Sequence, residues 1–216
     1  MLVVFDLDGT LIDSRRDLAD AANALITELG GEPLAVEDIT GMVGEGAAML
    51  VRRALTAARL SGISVPVALQ RFLALYDERL LIHTTLYDGV ADVLHGLART
   101  NALGLLTNKP LSATRQILAG LQIASAFQWV LGGDGPQPRK PDPAGLLQIV
   151  ADAGATVEQT TMVGDSAVDL ATARAAGCAM CLASYGFGYR ADLPLRGHEL
   201  IAATPGDLLR LLDPPR

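Results

Sequence analysis

Aromatic residues are scarce: four Phe, four Tyr and one Trp in 216 residues. A core without them must be built from Leu, Ala, Val and Ile. With half of the residues hydrophobic and 19% charged, such a core is well supplied and disorder is excluded. Positive charge is short as well. A net charge of −7 excludes the clustered positive field that a nucleic-acid surface needs, and it argues against anionic lipid as a partner. Lysine is the scarcer cation, with only Lys109 and Lys140. No apolar run approaches the roughly 20 residues of a transmembrane helix. The apolar start "MLVVF" stops at Asp6, too short for a signal peptide. A soluble, cytoplasmic protein is expected.

The two cysteines form a C-x-x-C, Cys178 and Cys181, in "GCAMCLAS". A redox pair belongs at a helix start. Here the surrounding residues read as a strand, on which positions three apart face opposite sides and lie about 10 Å apart, too far for a disulfide. No second C-x-x-C completes a zinc site. Two buried small residues are the expectation.

The length suits one large domain, or a core domain with a modest insertion. "LVVFDLDG" reads as a strand. "SRRDLADAANALITELG" then reads as an amphipathic helix, with Ser14 as its N-cap and Gly30 as its stop. The helical pattern persists through "GAAMLVRRALTAARLSG" and "PVALQRFLALYDERLLIH", to about His83. Strands and helices alternate after that: "ALGLLTN", "FQWVLGG", "TTMVGD" and "CAMCLAS" are strands, and the segments between them are helical. Alternation of this kind predicts an α/β fold with a doubly wound parallel sheet. The core is assigned to 1–14 and 84–216, with an all-helical cap, 15–83, inserted after the first strand.

Open α/β sheets bind ligands beyond the carboxyl ends of their strands. Those ends carry Asp6 and Asp8, Thr107 and Asn108, and Asp165; Lys140 in "RKPDP" can enter the same crevice. Asp6 and Asp8 lie two apart on an extended chain, so their carboxylates face the same side and repel. Asp169 follows Asp165 by four residues, on the same face of the next helix. Several acids in one crevice call for a hard cation, and oxygen ligands suit Mg²⁺. A carboxylate so relieved can attack phosphorus, its neighbour can move a proton, and a Lys and a Thr hydroxyl can hold the phosphoryl oxygens. Simpler roles compete. Asp165 reads equally as an N-cap, Asp169 as a solvated first-turn acid, and Lys109 as a residue flanking the site.

"DLDGTLIDS", "LLTNKP", "RKPD" and "VGDSAVDL" resemble, in order, the four motifs of the haloacid-dehalogenase-like (HAD) phosphohydrolase superfamily. That resemblance implies Asp6 as the nucleophile that becomes aspartyl-phosphate and Asp8 as general acid/base. Thr107, Asn108 and Lys140 would bind phosphate, and Mg²⁺ would be held by Asp6, the Asp8 carbonyl, Asp165 and Asp169. Asp8 separates phosphatases from the haloacid dehalogenases and the P-type ATPases. The absence of lysine from 15–85 excludes a Schiff-base hydrolase of phosphonoacetaldehyde, and Thr10 favours hydrolysis over a phosphosugar mutase. "MVGEGAAMLVRRAL", "GLLTNKP" and "SYGFGYRADL" are similar to bacterial phosphoglycolate phosphatases, although "YDGV" puts Asp88 where those often have Pro. The implied reaction converts 2-phosphoglycolate to glycolate and phosphate. Sugar phosphates, nucleoside monophosphates and pyrophosphate are the alternatives, and a non-catalytic phosphoacceptor module is the competing class. On the cap, Gly44 and Gly46 either bring backbone N–H groups over the site or form a plain turn. Arg52 or Arg53 is the candidate for a substrate carboxylate. The three histidines form no pattern and carry no role.

Overall fold

Leu2–Phe5 form the first strand, β1, with every side chain buried. A strand covered on both faces reads as an unbroken apolar run, and this one does. A short strand β2 (Ile12–Asp13) leads into four helices: α1 (Arg15–Glu28), α2 (Val36–Thr40), α3 (Ala47–Ala57) and α4 (Val65–Asp77). The chain returns through β3 (Thr85–Leu86), then runs α5 (Val90–Leu97), β4 (Ala102–Leu106), α6 (Leu111–Gly120) and β5 (Trp129–Leu131). It finishes with α7 (Ala144–Asp152), β6 (Thr160–Gly164), α8 (Ala167–Ala176), β7 (Ala179–Ala183), β8 (Leu200–Ala202) and α9 (Asp207–Leu212). These elements come from a computed structural model that describes residues 1–212.

The main sheet has the order β5-β4-β1-β6-β7-β8, and every pair in it is parallel. β1 is central, with Val4 between Gly104 and Met162. Val3 and Phe5 face one apolar layer, continuous with Leu94, Leu103 and Ile117. Leu2 and Val4 face the other, with Ile149, Met162 and Leu170. The doubly wound parallel sheet expected from the alternation is therefore present. Cys178 and Cys181 are free thiols, and the Cys181 side chain is buried within β7.

The four helices between β2 and β3 pack on one another, α1 against α2 and α4, and α3 against α4. They bury Leu25, Ile39, Leu50 and Phe72. Three local details differ from the sequence expectation. β2 and β3 pair antiparallel, Ile12 opposite Leu86, where the chain leaves and re-enters the sheet; two residues are too few to show alternation. The last helix of the group ends at Asp77, and turns replace the expected helix up to His83. Buried Asp17 of α1 explains part of that: its carboxylate accepts from the N–H of His83 at 3.0 Å, the N–H of Thr84 at 2.8 Å and the Thr84 hydroxyl at 2.7 Å. Finally, Ser14 occupies the N-cap position of α1 without a side-chain cap bond. Its hydroxyl is engaged elsewhere, as described below. Gly30, at φ +81°, follows the end of α1 as a left-handed residue, the role expected of it.

Candidate active site

β1 and β6 deliver the acids. Asp6 follows β1 directly, and its N–H donates to the Val163 carbonyl at 2.8 Å, which extends the ladder by one residue. The chain then reverses: Thr10, Leu11 and Ile12 all donate N–H to the Leu7 carbonyl. Gly9, at φ +85°, makes that turn, and a β-carbon there would overlap the Asp165 carboxylate. Only glycine admits both the conformation and the close approach. After β6 come Asp165, 1% exposed, and the start of α8.

Asp165 is not the helix cap, because Ser166 is. The Ser166 hydroxyl accepts the Asp169 N–H, and Asp169 Oδ2 accepts from the Ser166 N–H at 3.1 Å and its hydroxyl at 2.6 Å. This reciprocal box draws Asp169 inward, fully buried, which rules out a solvated first-turn acid. Lys140 Nζ lies 2.7 Å from Asp6 Oδ1 and 2.6 Å from Asp169 Oδ1.

Carboxylate oxygens of Asp6, Asp165 and Asp169 lie within 4.8 Å of one another, all buried. One ammonium faces three carboxylates, which leaves two negative charges uncompensated. Burial, followed by the opposed influences of Lys140 and Asp169, pushes the Asp6 carboxyl up to about 7. Burial and the carboxylates of Asp169 and Asp6 hold Asp165 well above the usual range. Burial alone would lower the Lys140 ammonium, but Asp169 and Asp6 reverse this and leave it raised. Oxygen donors carrying two excess charges fit a divalent cation, which restores ionised carboxylates by attraction. Asp165 has room for it, since its only recorded donor among the described residues is the Gly188 N–H, on Oδ2 at 2.7 Å.

β4 delivers the other end of the site. Thr107 is buried, and its hydroxyl oxygen accepts the Lys109 N–H at 3.2 Å, which leaves the hydroxyl proton free to donate. Asn108 was expected to hold phosphate, yet its side chain is committed to protein. Its Nδ2 donates to the carbonyls of Gly44 and Lys140, both at 2.9 Å, and its Oδ1 accepts the Lys140 N–H at 2.9 Å. The amide therefore joins three segments, and of its polar groups the backbone N–H is left without an acceptor among the described residues.

Lys109, read as a flanking residue, is instead part of the constellation. It is 6% exposed, and Nζ donates to both oxygens of Asp8, at 2.7 and 2.9 Å. The Ser14 hydroxyl adds a third donor to Asp8 Oδ1 at 2.5 Å. The rarity of lysine, with both copies beside motif residues, was the signal in the sequence.

The helical layer closes one side. Gly44 and Gly46 line the cavity along with Asp6, Asp8, Thr107 and Lys109. Gly44 turns its carbonyl to Asn108. On this side the N–H groups of Gly44, Gly46 and Ala47, all of which line the cavity, have no acceptor among the described residues. Arg52 is exposed and does not line the cavity, because Leu50, Val51, Ala54 and Leu55 form the buried face of α3. Arg53 folds back onto the Met42 carbonyl and Glu45. Neither arginine is placed to meet a bound carboxylate. The Tyr185 hydroxyl donates to the Thr10 carbonyl at 2.8 Å, and Tyr185 does not line the cavity. No helix among the described residues is long and apolar enough to cross a membrane.

Comparison with known proteins agrees with this geometry. The family model for haloacid dehalogenase-like hydrolases matches residues 3–183. A phosphoglycolate phosphatase of Rhodospirillum rubrum is 42% identical over 192 residues, which span 86% of this chain and 80% of that one. One of Chromobacterium violaceum is 40% identical over 215 residues, 97% of this chain and 95% of that one. Among solved structures, a predicted phosphoglycolate phosphatase of Haemophilus somnus superposes with a TM-score of 0.91 at 30% identity, over 98% of this chain and 97% of that one. With its acids, lysine and threonine at the strand ends of a matching fold, the chain belongs to the haloacid dehalogenase-like hydrolase family.

Proposed function

We propose that this hydrolase is a cytoplasmic, Mg²⁺-dependent phosphatase that acts through an aspartyl-phosphate on Asp6, with 2-phosphoglycolate as its substrate. The observation that carries the reading is the placement of Asp6, buried at the end of the central strand and held between Lys140 and the Asp165 carboxylate. Asp6, Asp165, Asp169 and the Asp8 carbonyl are the candidate ligands for Mg²⁺, which would supply charge neutralisation and orient the phosphoryl group.

Asp6 attacks phosphorus, the bond from phosphorus to the ester oxygen breaks, and Asp8 gives that oxygen a proton. Water then attacks the same phosphorus, Asp8 takes up its proton, and the bond from Asp6 to phosphorus breaks to release phosphate. Lys140 has a third N–H left after Asp6 and Asp169, and the Thr107 hydroxyl has its proton; both would hold the phosphoryl oxygens. The helical segment 15–83 serves as a cap that excludes water and bulky substrates. The names of the relatives support the choice of 2-phosphoglycolate.

The test is phosphate release from a panel of 2-phosphoglycolate, hexose phosphates, nucleoside monophosphates and pyrophosphate, with Mg²⁺, with EDTA, and with Asp6→Asn. A preference for 2-phosphoglycolate that disappears on chelation and in the variant is expected. Preference for another panel member overturns the substrate, and inactivity of the folded protein on all of them overturns the phosphatase.

A further inference from the structure

Beyond Asp8 the cavity changes character. Leu18, Val43, Leu50, Phe72 and Leu73 make an apolar wall, and polar donors interrupt it at three places. Tyr76 lines the cavity and is 2% exposed; Lys109 is its polar neighbour, and the hydroxyl proton has no acceptor among the described residues. A buried, unmet hydroxyl in a native fold asks for an occupant. Lys109 Nζ lies 4.9 Å from the centre of the Tyr76 ring and spends two of its three protons on Asp8. The third feature is the start of α3, where Ala47 lines the cavity with an unpaired N–H and no acid lies in the first turn. Glu45, the nearest acid in sequence, is drawn aside by Arg53.

We propose that Tyr76, Lys109 and the first turn of α3 form a subsite for a carboxylate carried on the carbon next to the ester oxygen. The proposal rests on the phosphatase reading and assigns residues of that same site to recognition of the substrate's carboxylate. Lys109 touches Asp8, the group that serves the leaving oxygen, so a charge read by Lys109 must lie within a few bonds of that oxygen. One methylene separates the two in 2-phosphoglycolate. A hexose or nucleoside would press hydroxyls onto Leu18, Leu50 and Phe72, and would leave Tyr76 and Lys109 without an anion. Tyr76 stacks parallel on Phe72, with ring centres 5.9 Å apart, so the hydroxyl is held at a fixed place. Its role is to discriminate between substrates; it does not touch the reacting phosphorus.

The experiment compares kcat/KM for 2-phosphoglycolate and for ethyl phosphate, which has the same two-carbon skeleton without the carboxylate. It uses the full chain in Mg²⁺, unmodified and as Tyr76→Phe and Lys109→Gln. We expect the unmodified protein to prefer 2-phosphoglycolate, and Tyr76→Phe to cut that preference about tenfold, mainly through KM. Lys109→Gln should cut it at least as far. Calorimetric titration of 2-phosphoglycolate into Asp6→Asn, with and without Tyr76→Phe, reads the same loss as a weaker Kd without turnover. It also decides the matter where Lys109→Gln fails to fold. Equal use of the two esters by the unmodified protein overturns the subsite and leaves the phosphatase standing. So does a preference that survives Tyr76→Phe, or activity confined to other esters. Inactivity on every ester overturns both.

Discussion

The ammonium of Lys140 lies 2.6 Å from Asp169 Oδ1, and both side chains are shut off from solvent. The same ammonium reaches Asp6, so its removal strands three buried carboxylates. Lys140→Met should cost about 3–5 kcal/mol of stability in EDTA, as breaking a buried pair does. Mg²⁺ should restore part of that. Turnover should fall about a hundredfold or more even with metal, because a donor to the phosphoryl group is gone. Thermal melts in EDTA and in Mg²⁺, set beside kcat, check both statements.

The metal-free protein should grow less stable as pH rises through the range where Asp6 titrates. Its carboxyl ionises near 4 in the unfolded chain and at about 7 in the fold. Between those values the folded state binds more protons, so unfolding free energy falls with rising pH. A divalent cation removes the penalty. The increase of Tm on adding Mg²⁺ should therefore be larger at about pH 8 than at about pH 5, and Asp165→Asn should abolish most of it.

Asn108→Leu keeps the branched shape but deletes the bonds to Gly44 and to both backbone groups of Lys140. The loss should be about 2–3 kcal/mol, read by urea unfolding. KM should rise, since the loop before α3 loses its tie to the sheet.

Asp17→Asn places an amide NH₂ where a carboxylate receives only donors, from His83 and Thr84. A cost of about 1–3 kcal/mol is expected. Amide exchange at His83 and Thr84 should speed up more than exchange in β6, which reports a local loosening of the return to the sheet.

Arg174 donates to Glu199 at 2.6 Å and holds its carboxyl down at about 2. A depressed acid stabilises the fold above its unfolded value and loses that effect as pH falls. The Tm difference between the unmodified protein and Glu199→Gln should therefore close between about pH 4 and about pH 2.

The sheet was legible because its strands are apolar runs bounded by glycine and by acids, and Asp6, Asp165 and Thr107 stand where those runs stop. What the residues could not announce was the direction of side chains after the strands. Asn108 and Lys109 follow Thr107 without a break, yet one amide turns back to bridge two loops and one ammonium reaches Asp8, across 101 positions of sequence. Ser14 looked like a cap because hydroxyls favour that position; a nearby carboxylate outcompeted the helix for it. Arg52 and Arg53 are adjacent on a helix, and only packing decides which of them faces inward.

The central position of β1 bears on how the chain is made. β1 leaves the ribosome well before its partners, since it is hydrogen-bonded on one flank to residues synthesised a hundred positions later and on the other to residues about sixty further on. One edge of this apolar segment stays open until β4 emerges and the other until β6 does, a long-range pairing that folds slowly and invites aggregation. Asp6 meets Asp165 only after β6 has emerged. A nascent chain that stops short of β6 therefore cannot carry a working centre, and chemistry arrives with β6 and the first turn of α8.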